Sequence, residues 1–245
     1  MKIQLKTDQG CVRVSNQDAV RAIPLPDGAV LAAVCDGMGG ANGGNVASGI
    51  CIDMLEAYIR AHYAAEMTDD AAWQMLSDAL EASNRAVYDR ASADPALAGM
   101  GTTAVVALAR GDRLLVANVG DSRAILLHDG QLRQLTKDHS YVQAMVDSGR
   151  LTAQEAEHHP KKNLITRAVG IGNRVEIDRF TERWTADDVL LLCSDGLTNE
   201  VSYAELTELM TTVPYAELAD ALIACANAHG GHDNSTVLLM KQDCE

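Results

Sequence analysis

The order of apolar patterns along these 245 residues predicts an α+β fold in which antiparallel β-sheets are sandwiched between helical layers. Three observations predict it. Strand-like and helix-like stretches come in blocks: strands, two helices, strands, two helices, one strand. A parallel doubly wound sheet would instead alternate them one by one. Short hairpin signals, Gly111-Asp112 and Asp129-Gly130, separate neighbouring strands in the middle of the chain. At 47% hydrophobic and 22% charged, the composition supplies one full core, and the length fits a single domain over 1–245 better than two small ones.

Near the start, KIQLK at 2–6 and AVLAAVC at 29–35 read as strands, with a Pro-Asp-Gly turn at 26–28 between them. The second run is uniformly apolar, so it is expected to be buried on both faces. Helical spacing follows over 42–62, where Val46, Ile50, Met54 and Tyr58 recur every four residues. A second helix is expected at 68–92, with Thr68 as N-cap and Trp73, Leu76, Leu80 and Val87 on one face, packed antiparallel to the first. The segments 102–109, 113–120, 122–128 and 131–135 then read as strands. Residues 138–163 are polar and carry three of the seven histidines, so they are expected to form short helices in a surface excursion. Strands at 175–183 and 188–194, helices at 202–211 and 214–229, and a core strand at 235–240 complete the chain.

Twenty Lys and Arg against 34 Asp and Glu give a formal charge of −14, with no basic cluster beyond Lys161-Lys162. That excludes a counterion-releasing nucleic-acid interface and adhesion to an anionic membrane. No segment reaches the roughly 18 apolar residues of a membrane span, and MKIQLKTDQG lacks a signal-peptide core, so a cytoplasmic location is expected. The six cysteines show no CxxC pair, and several sit in apolar runs; they read as reduced core residues rather than disulfide or zinc ligands.

The chemistry is written in aspartates. The chain places several Asp residues immediately after apolar strands and beside Gly, in VCDGMGG at 34–40, VGDSR at 119–123, CSDG at 193–196 and GHDN at 231–234, and Asp18 stands in NQD. One such Asp is ordinarily a turn residue. Five imply a carboxylate cluster that a hard divalent cation holds together, with no cysteine or histidine cluster competing for a softer metal. The run GMGGANGG fits a dinucleotide turn poorly, since Asn42 stands at the last position of GxGxxG/A and the topology is not βαβ. Neither a GxxxxGK[ST] loop nor a Cys-x5-Arg loop occurs.

In order, TDQGCVRVSNQD at 7–18, VCDGMGG at 34–40, MGTT at 100–103, NVGDSRAILL at 118–127, LTKDHS at 135–140, LITRAVG at 164–170, LLCSDGL at 191–197 and GHDNSTV at 231–237 span nearly the whole chain. This series resembles the PPM family, the type 2C metal-dependent protein Ser/Thr phosphatases, in compact bacterial form. The resemblance implies a four-layer αββα sandwich: two antiparallel sheets face to face, flanked by antiparallel helix pairs, with the site at one end. It implies a Mn²⁺ or Mg²⁺ pair bridged by Asp36, with the Gly37 carbonyl, Asp195 and Asp233 as further ligands and Asp18 acting through water. Asp121, with Asp195, would form a third and weaker site, and Arg13 would bind the phosphate. Asn234 is expected to orient the Asp233 carboxylate, Asp138 and His139 to act in capping or flap anchoring, His158 and His159 to face solvent, and 138–163 to form a flap.

The implied substrates are phosphorylated proteins of a Ser/Thr kinase, met by a monomer. Many bacterial relatives carry His and Glu where Ala41 and Asn45 stand here, and animal relatives often carry His in place of Met38. Those departures motivate one alternative, a phosphoprotein-binding pseudo-phosphatase.

Overall fold

The computed structural model describes residues 1–40 and 43–243; Ala41, Asn42 and Cys244 lie outside the described residues. In chain order the first elements are β1 (Lys2–Asp8), β2 (Asp18–Pro24), β3 (Val30–Met38), α1 (Gly44–His62) and α2 (Asp69–Ala93). A central block of strands follows: β4 (Gly101–Thr102), β5 (Ala104–Arg110), β6 (Arg113–Val119), β7 (Arg123–His128) and β8 (Gln131–Gln134). Two short helices, α3 (Tyr141–Asp147) and α4 (Ala153–Glu157), precede β9 (Asp178–Arg183) and β10 (Val189–Cys193). The chain closes with α5 (Asp195–Thr198), α6 (Tyr203–Thr212), α7 (Tyr215–Ala228) and β11 (Ser235–Lys241).

The uniformly apolar run in β3 explains the layering. Side chains alternate across a strand, so Leu31, Ala33 and Cys35 pack into a core with Leu55 and Ile59 of α1 and Leu76 and Leu80 of α2. Val30, Ala32 and Val34 point the other way, into a core shared with Leu126, Leu190, Leu192, Leu238 and Met240 of a second sheet. That second sheet turns Ile125, Leu191 and Leu239 outward onto Leu206, Leu218 and Leu222 of α6 and α7. Three apolar layers thus separate four layers of structure, helices, sheet, sheet, helices. Each fully buried Leu in them contributes about 1.5–3 kcal/mol.

One sheet has the order β1-β11-β10-β7-β8 and the other β2-β3-β5-β6-β9, with β4 added on β3. Every pairing is antiparallel, as the hairpin signals require. The Thr68 hydroxyl caps α2 by accepting from the Ala71 N–H at 3.2 Å.

The structure departs from the sequence expectations in several places. Strand β2 is an addition: Arg21 interrupts its apolar pattern, but pairs with Glu56 and Asp53 of α1. In α1 the fully buried stripe is Ala47, Cys51, Leu55 and Ile59; Val46, Ile50, Met54 and Tyr58 flank it, half-buried. Small Ala47 and Cys51 put the helix against β3, and a reading weighted toward large residues slips by one position. The strand expected from 175 begins at Asp178. Cysteines 35, 51 and 193 are core residues, but Cys11 is exposed and Cys225 half-buried.

Within 138–163, Ser140 caps α3, and Thr152 with Glu155 forms a capping box on α4. The excursion is pinned where it leaves and rejoins the core, by Tyr141 N–H to Leu164 O at 2.8 Å and Thr166 N–H to His139 O at 2.7 Å. His158 is exposed, while His159 is half-buried beside the Tyr141 ring. Among the described residues no helix is long and apolar enough to cross a membrane.

Candidate metal centre

Strand ends deliver the aspartates to one place. The antiparallel register of β2 on β3 sets Asp18 directly opposite Asp36. Asp121 follows β6, Asp195 follows β10, and Asp233 precedes β11. Asp36, Asp121, Asp195 and Asp233 line a single cavity of about 430 Å³ together with Gly37, Arg13 and Asn234. Asp18 is not on its wall. The Asp18 Oδ2 accepts from Ser194 Oγ at 2.7 Å and Thr236 Oγ1 at 2.6 Å, while its Oδ1 is shut off from solvent and has no hydrogen-bond partner.

Crowding has an electrostatic signature. Burial, then the charges of Asp195 and Asp233, push the Asp18 carboxyl up to about 7 against the hydroxyl bonds that favour its ionised form. Burial first, then Asp18, Asp195 and Asp121, holds Asp36 far above the usual carboxylate range. Asp121 is raised by burial and Asp195, and Asp195 by burial and Asp233. Such a group of buried like charges is stable only when protonated or when cations neutralise it. The donors are oxygens alone, which suits Mg²⁺ or Mn²⁺, and the orphaned Asp18 Oδ1 marks a buried acceptor awaiting a donor or cation. The residues therefore fit a divalent-metal centre.

The backbone around Asp36 is held on both sides. Its N–H donates to Thr103 Oγ1 at 2.9 Å, and its carbonyl accepts from Thr102 Oγ1 at 2.9 Å and from the Thr103 N–H at 2.8 Å. Gly37 and Gly44 face each other: a Cβ on Gly37 would lie 2.1 Å from Gly44 O, and one on Gly44 would lie 2.6 Å from Gly37 O. Two glycines are thus what lets α1 start against β3 without covering the Gly37 carbonyl.

Arg13 is half exposed at the cavity rim and donates from Nη2 to Asp233 Oδ2 at 2.6 Å, which holds its guanidinium above its ordinary value. It is the one cationic side chain on the cavity wall among the described residues. Asn234 differs from expectation. Its amide donates to Gln9 O and Ser15 O at 2.9 and 3.0 Å, and its oxygen accepts from the Gln17 N–H at 2.9 Å. The side chain therefore fixes the 9–17 loop that carries Arg13, and the donor to Asp233 Oδ1 is instead the Asn234 backbone N–H, at 2.8 Å.

Residues 12–244 match the family model described as protein phosphatase 2C. The chain belongs to this family. It is 38% identical over 244 residues to the serine/threonine phosphatase stp of Listeria monocytogenes, covering 99% of this chain and 96% of that protein. Among solved structures, serine/threonine phosphatase Stp1 from Staphylococcus aureus superposes with a TM-score of 0.94 at 35% identity, over 99% of this chain and 95% of that one. The catalytic domain of PstP, solved with two manganese ions, gives 0.84 at 38% identity over 97% and 96%. This member of the protein phosphatase 2C family is accordingly a protein serine/threonine phosphatase.

Several residues that support the phosphatase site were not singled out by sequence. Thr103, besides holding Asp36, bonds Ser122 Oγ at 2.7 Å, joining the β3 and β6 ends. Arg123 grips Asp138 through Nε and Nη2, with bonds of 2.7 to 3.1 Å. His139, expected as an anchor, accepts the Gly120 N–H on Nδ1 at 3.0 Å, so Nε2 carries the proton and faces Asp178 Oδ2 at 3.3 Å. Burial lowers the His139 pKa, keeping that tautomer neutral. All these residues lie within or beside the MGTT, GDSR and DHS motifs, and that proximity is the sequence signal for them.

Proposed function

We propose that this phosphatase hydrolyses phosphoserine and phosphothreonine esters in proteins, using a Mn²⁺ or Mg²⁺ pair held by Asp36, the Gly37 carbonyl, Asp195 and Asp233. Asp18 acts on the pair through water, and Asp121 with Asp195 offers a weaker third position. The observation that carries this reading is the convergence of four strand-end carboxylates on one cavity whose cationic wall residue is Arg13.

When bound, the metal pair supplies a nucleophilic water at neutral pH and offsets charge that develops on the phosphoryl oxygens. Arg13 takes the phosphate by its planar fork, two N–H groups to two oxygens, and aligns the ester for in-line attack. Its present partner, Asp233, keeps the guanidinium over the cavity. Asn234 holds the loop in that register, and Met38, on the wall, has no proton to give, so the departing alkoxide takes one from water.

Residues 138–163 act as a flap beside the cavity, whose wall includes Asn163. The substrates are phosphorylated proteins made by a cognate Ser/Thr kinase, and the enzyme works as a cytoplasmic monomer. Asn45 is exposed and lies off the cavity wall, so the lost Glu leaves the carboxylate set intact.

Hydrolysis of p-nitrophenyl phosphate and a phosphothreonine peptide, with Mn²⁺ and with EDTA, tests the proposal. Turnover is expected only with Mn²⁺, and Asp36→Asn should lose it by a factor of about a hundred to a thousand, the scale of one key charge-stabilising group. Metal-independent turnover overturns the metal mechanism; tight peptide binding without turnover supports the pseudo-phosphatase.

A further inference from the structure

The sequence offered no cysteine or histidine cluster, yet the fold assembles one about the α6–α7 pair. Cys225 and His229 are four residues apart, at the end of α7 and its C-cap, so they share a face. Glu205, in the first turn of α6, meets that face. Sγ of Cys225, a ring nitrogen of His229 and a carboxylate oxygen of Glu205 all lie within 4.8 Å of one another.

The three side chains are set up by other contacts. His229 Nδ1 is 2.9 Å from Glu200 O, and a carbonyl only accepts, so Nδ1 bears the hydrogen and Nε2 presents its lone pair. A histidine metal ligand is ordinarily fixed in this way, by its other ring N–H on a carbonyl. Glu205 Oε2 is occupied by the Ser202 N–H and hydroxyl, at 3.0 and 2.6 Å, which leaves Oε1 facing His229 Nε2 at 3.4 Å. Nitrogen and oxygen ligands at about 2.0–2.1 Å from a tetrahedral ion are separated by roughly 3.4 Å. That edge is already in place, and the thiol closes the set by a shift of about 1 Å, within reach of a side-chain rotation. His229 and Glu205 are each exposed by about two-fifths (38% and 41%), so an ion can enter from solvent.

We propose that Glu205, Cys225 and His229 form a second metal site, separate from the carboxylate centre, that takes Zn²⁺ with water in the fourth position. The sorting is chemical: thiolate with imidazole selects zinc, whereas the all-oxygen cavity selects Mn²⁺ or Mg²⁺. Binding breaks the Cys225 S–H bond and forms a zinc–sulfur bond, and the proton passes to solvent. His229 also opens the turn to Asp233, through Gly230 and Gly231. Zinc there staples α6 to α7 at the root of the loop that carries Asp233.

Co²⁺, which reports thiolate coordination optically, tests this on the full chain with the carboxylate centre saturated by Mn²⁺. Expected is a near-ultraviolet sulfur-to-cobalt charge-transfer band that saturates at one equivalent, is displaced by Zn²⁺, and is absent in Cys225→Ser and Cys225→Ala. His229→Ala and Glu205→Gln should weaken binding at least tenfold; Gln at 205 retains the capping box, so its loss of affinity is not a loss of the helix start. Retained Mn²⁺-dependent phosphatase activity in the Cys225 variants confirms that they fold. Absence of the band in the wild type overturns the proposal. So does a band that survives in the Cys225 variants, which would assign it to the exposed Cys11, or an affinity unmoved by His229→Ala.

Discussion

In metal-free protein at pH 8, replacing Asp18 by Asn is expected to raise stability, against the usual cost of changing a buried residue. The Asp18 carboxyl, at 3.8 when unfolded, is pushed up to about 7 by burial and by Asp195 and Asp233. Each unit corresponds to about 1.4 kcal/mol, so holding the group ionised in the fold costs up to about 4 kcal/mol. Asparagine removes that charge and keeps an oxygen to accept from Ser194 and Thr236. Its new amide N–H groups need acceptors, which returns about 1 kcal/mol or more of the gain. A net gain of about 1–3 kcal/mol remains, or roughly 3–10 °C in Tm for a chain this long. The folded pKa lies above the unfolded one, so the wild-type contribution is fully present below about 4 and is lost as pH rises through about 7. Thermal unfolding in EDTA at pH 5 and pH 8 reads both effects: wild type should fall between the two, and Asp18→Asn should fall less. Saturating Mn²⁺ should shrink the gain, because bound cations offset the Asp195 and Asp233 charges that penalise the ionised Asp18. An Asp18→Asn variant no more stable than wild type in EDTA at pH 8 would refute the electrostatic account of the cluster.

Arg13→Ala should lower kcat/KM on a phosphopeptide ten- to a hundredfold, the value of about 1.5–3 kcal/mol for hydrogen bonds to a charged group, and Arg13→Lys should recover only part of it. Its rim position predicts little change in Tm for either variant. Asn234→Ala removes three side-chain bonds to the 9–17 backbone; it should cost about 2–3 kcal/mol in urea unfolding and raise KM through the loosened Arg13 loop. Leu76→Ala, at a fully buried position between α2 and the β3 sheet, should cost about 2–5 kcal/mol while leaving KM unchanged.

The fold was largely legible because its main signal is block order and apolar pattern. What escaped was set by partners distant in sequence. Strand β2 carries Arg21 mid-strand, and only Glu56 and Asp53 of α1 make that position tolerable. The buried stripe of α1 uses Ala47 and Cys51, whose value lies in close approach to β3 rather than in hydrophobic bulk. In the site, the aspartates were visible as strand-end residues beside glycines, but a motif does not show what a side chain touches. Asn234 stands next to Asp233 and yet serves Gln9, Ser15 and Gln17, more than 200 positions away. Likewise the Cys225 and His229 spacing was present in the sequence, but Glu205 joins them only when α6 packs on α7.

Charge links the two halves of this picture. The chain carries −14, and five of its carboxylates are assigned to the proposed centre, so a divalent pair would remove only four negative charges from the total. A phosphorylated substrate therefore approaches against a repulsive field, screened over about 8 Å at physiological ionic strength. Recognition must come from groups within that distance, which under the proposed mechanism means the metal pair and Arg13. Arg13 in turn rests on Asp233, itself a proposed metal ligand. A cation that takes Asp233 Oδ2 would compete with the guanidinium which that oxygen now holds, so filling the proposed metal centre would also free the fork for phosphate. Affinity for the ester should consequently rise with metal occupancy by more than the metals' own charge supplies, which makes the ordering of metal before substrate a property of one shared carboxylate.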